Sequence, residues 1–157
     1  MAGIAKIWKR FVSWIKHLFR PRKDQIKSSE QVHWVNHIHD ETVGVGGAWG
    51  TMQWGNLHGF EERNEQGGWT YWLGLDSRCW GIRISDMIIK CKDRATYDKY
   101  IEIAKWGGSD LLHAAENDSN LNFARGNNVE IKFFFKWGDE EKTFNVRLAG
   151  DFYAEEK

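Results

Sequence analysis

The chain has 157 residues, which is enough for one domain with a substantial core and too few for two ordinary domains. A hydrophobic fraction of 41%, with ten Trp, excludes disorder as the default expectation. The formal net charge is zero, so the overall charge does not favour a nucleic-acid-binding protein.

Charge is divided unevenly along the chain. Residues 1–23 contain seven Lys and Arg and no acid, a net charge of +7. Because the chain has 22 bases and 22 acids in total, the remaining residues carry 15 bases and 22 acids, a net charge of −7. The acidic body is a poor surface for nucleic acid, and only the basic head suits a polyanion. We therefore expect no nucleic-acid partner.

Residues 3–20 are the first predicted element, an amphipathic helix. At about 100° per residue, the apolar side chains fill one arc of about 160° and the basic side chains fill the opposite arc. Pro21 ends the helix, because its ring cannot continue the hydrogen-bond pattern. The predicted membrane-binding residues are Ile4, Lys6, Ile7, Trp8, Lys9, Arg10, Phe11, Trp14, Ile15, Lys16, Leu18, Phe19, Arg20, Arg22 and Lys23.

The charges of this helix favour a membrane over a protein core. The charged residues of its polar face are all cationic, whereas a solvated globular helix usually mixes Lys with Glu. Trp8 and Trp14 lie in the apolar arc, and Trp prefers the membrane interface. The segment resembles cationic membrane-active peptides and amphipathic membrane-targeting segments, a resemblance that implies binding to anionic lipid. A core-packing helix is the alternative.

The rest of the chain is predicted to be one α+β domain. Residues 1–23 form the membrane-binding helix, residues 24–31 form a polar linker, and residues 32–157 form the globular domain. We expect this domain to be β-rich and antiparallel, with one helical insertion at about 93–117.

A histidine-rich segment, VHWVNHIHDE, opens the domain. On a regular strand His33, His37 and His39 point to one face, and the spacing of His37 and His39 allows both to bind one metal ion, with zinc as the cofactor. His58, Asp40, Cys79, Cys91 and His113 are the residues that could add a third ligand. The alternative is a polar edge-strand face without metal.

A glycine-rich segment, GVGGAWG, follows. It is neither a dinucleotide-binding fingerprint nor a P-loop, because the required Gly and Lys are missing. We interpret it as part of a candidate binding loop with Trp49, Met52 and Trp54. Because exposed Trp rings can stack on sugars, carbohydrate is a further candidate ligand.

Alternating apolar residues predict strands around Trp69–Leu75 and Trp80–Cys91. The apolar phase changes near Ser85, which predicts a bulge or break at Ser85-Asp86. The period then becomes helical from Arg94 to Trp106, followed by a short helix capped by Ser109-Asp110.

Residues 117–128 are predicted to be a loop. Alternation on both sides of residues 138–141 predicts a final antiparallel hairpin, with Val129–Trp137 as its first strand and Phe144–Ala149 as its second.

The sequence contains no nucleophile elbow, zinc-protease motif or paired-carboxylate motif, so we do not expect an enzyme. Two cysteines without a CxxC pair favour free thiols and a cytoplasmic protein. The leading hypothesis is a non-enzymatic peripheral membrane protein that also binds a protein partner or itself. The alternatives are a pore-forming or membrane-disrupting effector, an oligomer in which the basic helix binds the acidic body, and a small zinc-dependent hydrolase.

Overall fold

The computed structural model describes residues 30–44, 54–79, 82–126, 129–147 and 151–157. For residues 77–79 and 82–85 it describes the backbone alone. The predicted membrane-binding helix, most of the predicted linker, Trp49 and Met52 lie outside these ranges.

The described residues form strands and two helices in the order β1–β5, α1, α2, β6–β9. Their bounds are β1 Glu30–Trp34, β2 Asn36–Gly44, β3 Trp54–Arg63, β4 Trp69–Cys79, β5 Ile82–Cys91, α1 Arg94–Trp106, α2 Gly108–Asn117, β6 Leu121–Arg125, β7 Glu130–Trp137, β8 Glu140–Arg147 and β9 Phe152–Glu156. The fold is therefore β-rich and α+β, as predicted.

A six-stranded sheet, in the order β2-β3-β4-β5-β9-β6, forms the middle layer of the fold. One of its faces contributes Leu57, Leu73 and Ile89 to a core shared with Tyr97 and Tyr100 of α1. Its other face packs against a three-stranded sheet, in the order β1-β7-β8. That second core joins Phe60, Trp72 and Ile88 of the middle layer to Phe133 of β7 and Phe144 of β8.

The strands alternate between these two cores, as the period of two requires. In β4, Leu73 faces the helices and its neighbour Trp72 faces the three-stranded sheet. The sheets are mixed, however, and this corrects the antiparallel prediction. β9 runs parallel to β5, and β1 runs parallel to β7. Each parallel pair joins strands that are distant in sequence, so the local hairpin signals did not indicate them.

The helical insertion is confirmed as two helices. Tyr97, Tyr100, Ile101 and Ala104 form the buried face of α1, and the Asp93 side chain accepts a hydrogen bond from the Thr96 N–H at 2.7 Å. The second helix begins at Gly108, so Ser109 and Asp110 lie inside its first turn rather than capping it.

The final hairpin is confirmed, but its turn is shorter, and residues 148–149 of the predicted second strand lie outside the described residues. Trp137 pairs directly with Glu140, so the turn is Gly138-Asp139 and Glu140 opens β8. Gly138 has a φ of 62°, a left-handed conformation that favours glycine.

Two further strand features lie near the predicted positions. The predicted break appears where Ser77 pairs with Ser85 but Arg78 pairs with Arg83, which leaves residue 84 as the extra residue. The predicted loop at 117–128 contains β6, a short edge strand whose five residues include only one buried side chain, Leu121. One buried residue gives too little alternation to be read as a strand.

Gly59 of β3 sets the distance between α1 and the middle sheet. A Cβ placed on Gly59 would overlap the Tyr97 hydroxyl, lie 2.9 Å from Tyr97 Cζ and lie 2.8 Å from His39 Cβ. The Tyr97 hydroxyl is buried and has no hydrogen-bond partner among the described residues. This position therefore tolerates glycine alone unless α1 moves.

We predict that Gly59→Ala lowers the free energy of unfolding by about 1–3 kcal/mol, because the new methyl group overpacks the interface with α1. Tyr97→Phe should change stability little, since the hydroxyl that it removes is unpaired. In the Tyr97→Phe background, Gly59→Ala should be less destabilising. Urea denaturation of the four proteins measures this coupling, and strictly additive effects would contradict the proposed contact.

Candidate functional site

The edge strand β2 contains a bulge that rearranges its histidines. His37 pairs with Phe60 of β3 and His39 pairs with the next residue, Gly59, so Ile38 is the extra residue. His39 lies on the α1 side, where its Cβ is close to the position of a Gly59 side chain. His37 lies on the other side, with its ring 4.9 Å from that of Phe135 in β7. The bulge therefore places His37 and His39 on opposite faces, so the structure does not bring these two predicted metal ligands together.

The bulge brings His37, Asp40 and His58 together instead. Asp40 pairs directly with His58 in the β2–β3 register. The three residues each offer a ligand atom, and these atoms all lie within 4.8 Å of one another. His58 Nδ1 is 3.3 Å from Asp40 Oδ1. We call this group the histidine cluster; in the described part of the chain, it is the one group of three or more such side chains close enough to hold a metal ion.

Aromatic rings surround the two imidazoles. The His37 ring stacks on Phe135 and lies 4.7 Å from the Trp137 ring. The His58 ring lies 4.5 Å from Phe144 and parallel to Phe60. These contacts hold both imidazoles in a defined orientation and cover part of each ring.

Burial lowers the pKa of His37 and that of His58 below the usual value of 6.5. The negative charge of Asp40 favours protonation and offsets only part of this effect. Both imidazoles are therefore predominantly neutral at pH 7, which is the protonation state that binds metal ions.

His39 and His33 belong to different polar groups. His39 Nε2 lies 3.0 Å from Glu41 Oε2 on the helix side of β2. His33 Nδ1 lies 2.7 Å from Glu62 Oε2, and Trp72 Nε1 donates a hydrogen bond to Glu62 Oε1 at 3.2 Å. Burial raises the pKa of Glu62, but the hydrogen bonds from His33 and Trp72 outweigh it, so the net pKa is lowered.

A shallow cleft of about 400 Å³ lies beside the His33–Glu62 pair and is also lined by Lys90 and Thr70. Because both oxygens of the Glu62 carboxylate already accept hydrogen bonds within the protein, this carboxylate is not free to bind a ligand in the cleft.

The outer face of the three-stranded sheet carries an exposed apolar surface. Trp34 is 69% exposed and stacks on Phe134 at 5.0 Å, and the neighbouring Val32 is 50% exposed. We call Val32, Trp34 and Phe134 the outer apolar surface. Val32 directly follows the predicted linker, residues 24–31. Single exposed apolar residues are ordinary, whereas a contiguous apolar group is a candidate interaction surface.

Other predicted site residues are separate from these groups. Trp54 is half exposed at the start of β3, and His113 is exposed in α2. Cys91 is a buried free thiol, and burial raises its pKa to about 12, so it is not a nucleophile at neutral pH. The side chain of Cys79 lies outside the described atoms.

No protein-family model, no curated protein and no solved structure matches this chain. Among the described helices, neither α1 nor α2 is long and apolar enough to cross a membrane.

We predict that the free energy of unfolding falls as the pH is lowered below about 6.5. Histidines with a lowered pKa in the folded state bind fewer protons than in the unfolded chain, so protonation favours unfolding. Urea denaturation across this pH range, with a chelator present, measures the slope. The double variant His37→Gln and His58→Gln should have a shallower slope, whereas His113→Gln should keep it. An unchanged slope in the double variant would contradict this assignment.

Proposed function

We propose that this protein is a non-enzymatic peripheral membrane protein of the cytoplasm, in which residues 3–20 bind anionic lipid and tether the α+β domain to the bilayer surface. The observation that carries the proposal is the separation of charge and apolarity in this segment: its basic residues lie on one helical arc and its Ile, Leu, Phe, Val and Trp residues on the other. Such a helix lies in the interface plane, with its apolar face at the acyl boundary and its cations among headgroups.

The expected energies allow reversible binding without a lipid modification. Each Lys or Arg near an anionic surface contributes about 1 kcal/mol, and residues 1–23 contain seven of them. Burial of the apolar face adds to this. Because the charge contribution is screened by salt, binding should weaken as ionic strength rises.

The outer apolar surface supports the same proposal from the side of the folded domain. It lies on β1, the first described strand after residues 3–20, and on the neighbouring strand β7. If residues 3–20 lie at the bilayer, residues 21–29 are the whole connection to β1, which is short enough for the outer apolar surface to reach the lipid headgroups. Trp34 has the amphipathic ring that is enriched at membrane interfaces.

The charge contribution can be tested by removing two lysines from the helix. Lys9→Gln with Lys16→Gln should weaken sedimentation with phosphatidylserine-containing vesicles about 30-fold at low salt, since two cations contribute about 2 kcal/mol. The matched control is Lys92→Gln with Lys105→Gln, which removes the same charge from exposed positions in the body. Equal losses in both double variants, or equal binding to phosphatidylcholine alone, would contradict the proposal.

The contribution of the domain can be tested with two exposed tryptophans on opposite layers. Trp34 lies on the outer face of the three-stranded sheet, and Trp106, 84% exposed, ends α1 on the other side of the molecule. Trp34→Ala should weaken vesicle binding by roughly tenfold, because its ring leaves water at the interface. Trp106→Ala should leave binding unchanged. Equal effects would show that the domain has no preferred orientation on the membrane.

The same samples separate the alternative functions. Release of an encapsulated dye at vesicle-binding concentrations would favour a membrane-disrupting effector. A particle size that depends on salt without lipid would favour an oligomer in which the +7 segment binds the −7 body. A tethering protein binds vesicles without leakage and keeps its size in lipid-free buffer.

A further inference from the structure

We propose that the histidine cluster, His37, Asp40 and His58, binds a divalent first-row transition metal ion, with zinc as the best match. The proposal is independent of membrane binding, because its residues lie in the described domain and not in the basic segment. Two imidazole nitrogens and one carboxylate oxygen are a common zinc ligand set with an open fourth position.

The positions of the three side chains follow from the backbone. On a regular strand His37 and Asp40, three residues apart, would point to opposite faces. The extra residue Ile38 turns both to the face that packs on the three-stranded sheet. The register then places His58 directly opposite Asp40. Bulges of this kind are over-represented beside functional sites, where they redirect a side chain.

The ligand atoms are close to the separations that zinc requires. Atoms bound tetrahedrally at 2.0–2.2 Å lie about 3.4 Å from one another. The cluster's atoms all lie within 4.8 Å, and the Asp40–His58 separation is already 3.3 Å. Small rotations of the His37 and Asp40 side chains would complete the geometry. Asp40 is 36% exposed on an edge strand, so an ion can reach the site from solvent.

Unpaired nitrogen atoms are the second observation that favours a metal ion. His37 Nε2 and His58 Nδ1 are both buried, and neither has a hydrogen-bond partner among the described residues. The contact of His58 with Asp40 is close, but it lacks hydrogen-bond geometry. A buried polar atom without a partner costs about 1–3 kcal/mol, and a shared metal ion would satisfy both nitrogens at once.

The surroundings also select the kind of ion. Magnesium and calcium prefer sites made of oxygen atoms, whereas imidazole suits zinc and its neighbours. The stacked rings of Phe135 and Phe60 hold the imidazoles in place.

The test is calorimetric titration of the chelator-treated, untagged full-length protein with zinc chloride, followed by cobalt chloride as a spectroscopic probe. The wild-type chain should bind one equivalent of zinc and give a visible cobalt spectrum typical of a four- or five-coordinate site. Asp40→Asn and His58→Gln should each weaken zinc binding at least tenfold. The controls His39→Gln and His113→Gln should bind as tightly as wild type.

Two results would overturn the proposal. One is the absence of zinc binding by wild-type protein whose circular dichroism shows it to be folded. Another is an equal loss on changing His39 or His113, which would indicate adventitious binding by surface histidines. Urea denaturation of each variant without metal separates a lost ligand from a lost fold. Because the Asp40 side chain is partly exposed, the Asp40→Asn variant should remain folded. If His58→Gln unfolds, zinc binding by Asp40→Asn decides the result.

Discussion

The fold depends on a middle sheet that is buried on both faces. Strands β3, β4 and β5 place alternate side chains into two separate cores, with Leu73 facing the helices and Trp72 facing the three-stranded sheet. Neither outer layer could be stable alone, because a small sheet or a pair of short helices has too little apolar surface of its own. The two layers are therefore held by the same central strands, and a shift of one residue in any of these strands would exchange the two cores.

This constraint explains why the interruption in β2 matters. Ile38 and Val43 both pack towards the helices although they are five residues apart, a spacing that strict alternation forbids. The extra residue at the bulge reconciles them, and the same residue turns His37 and Asp40 to the inter-sheet side. Sequence spacing alone predicted His37 with His39. The odd spacing of the two apolar residues Ile38 and Val43 was the signal in the sequence that could have predicted the bulge. A similar change of the apolar alternation near Ser85 did predict the break in β5.

Other parts of the fold show where sequence reasoning succeeds and where it cannot. Helix α1 and the β7–β8 hairpin follow from local periods, and both were predicted. The pairing of Asp40 with His58, by contrast, depends on the register between two strands separated by residues 45–53. The parallel neighbours β5 and β9 are distant in sequence, with the helices and a second sheet's strands between them. No local pattern contains that information, so Asp40 and His58 were only two among five candidate ligands.

Strand β7 connects the two proposed activities without making one depend on the other. Phe133 and Phe135 point into the inter-sheet core, and Phe135 stacks on His37. The residue between them, Phe134, points outward and stacks on Trp34 in the outer apolar surface. Because successive side chains of a strand face opposite sides, the outer apolar surface and the histidine cluster lie against opposite faces of the three-stranded sheet. β1 and β2 are joined only by Val35, whose N–H donates to the Phe134 carbonyl oxygen at 2.9 Å. The chain therefore passes from the three-stranded sheet to β2, the strand that carries His37 and Asp40, through one buried residue, and this short connection fixes the orientation of the histidine cluster relative to the outer apolar surface.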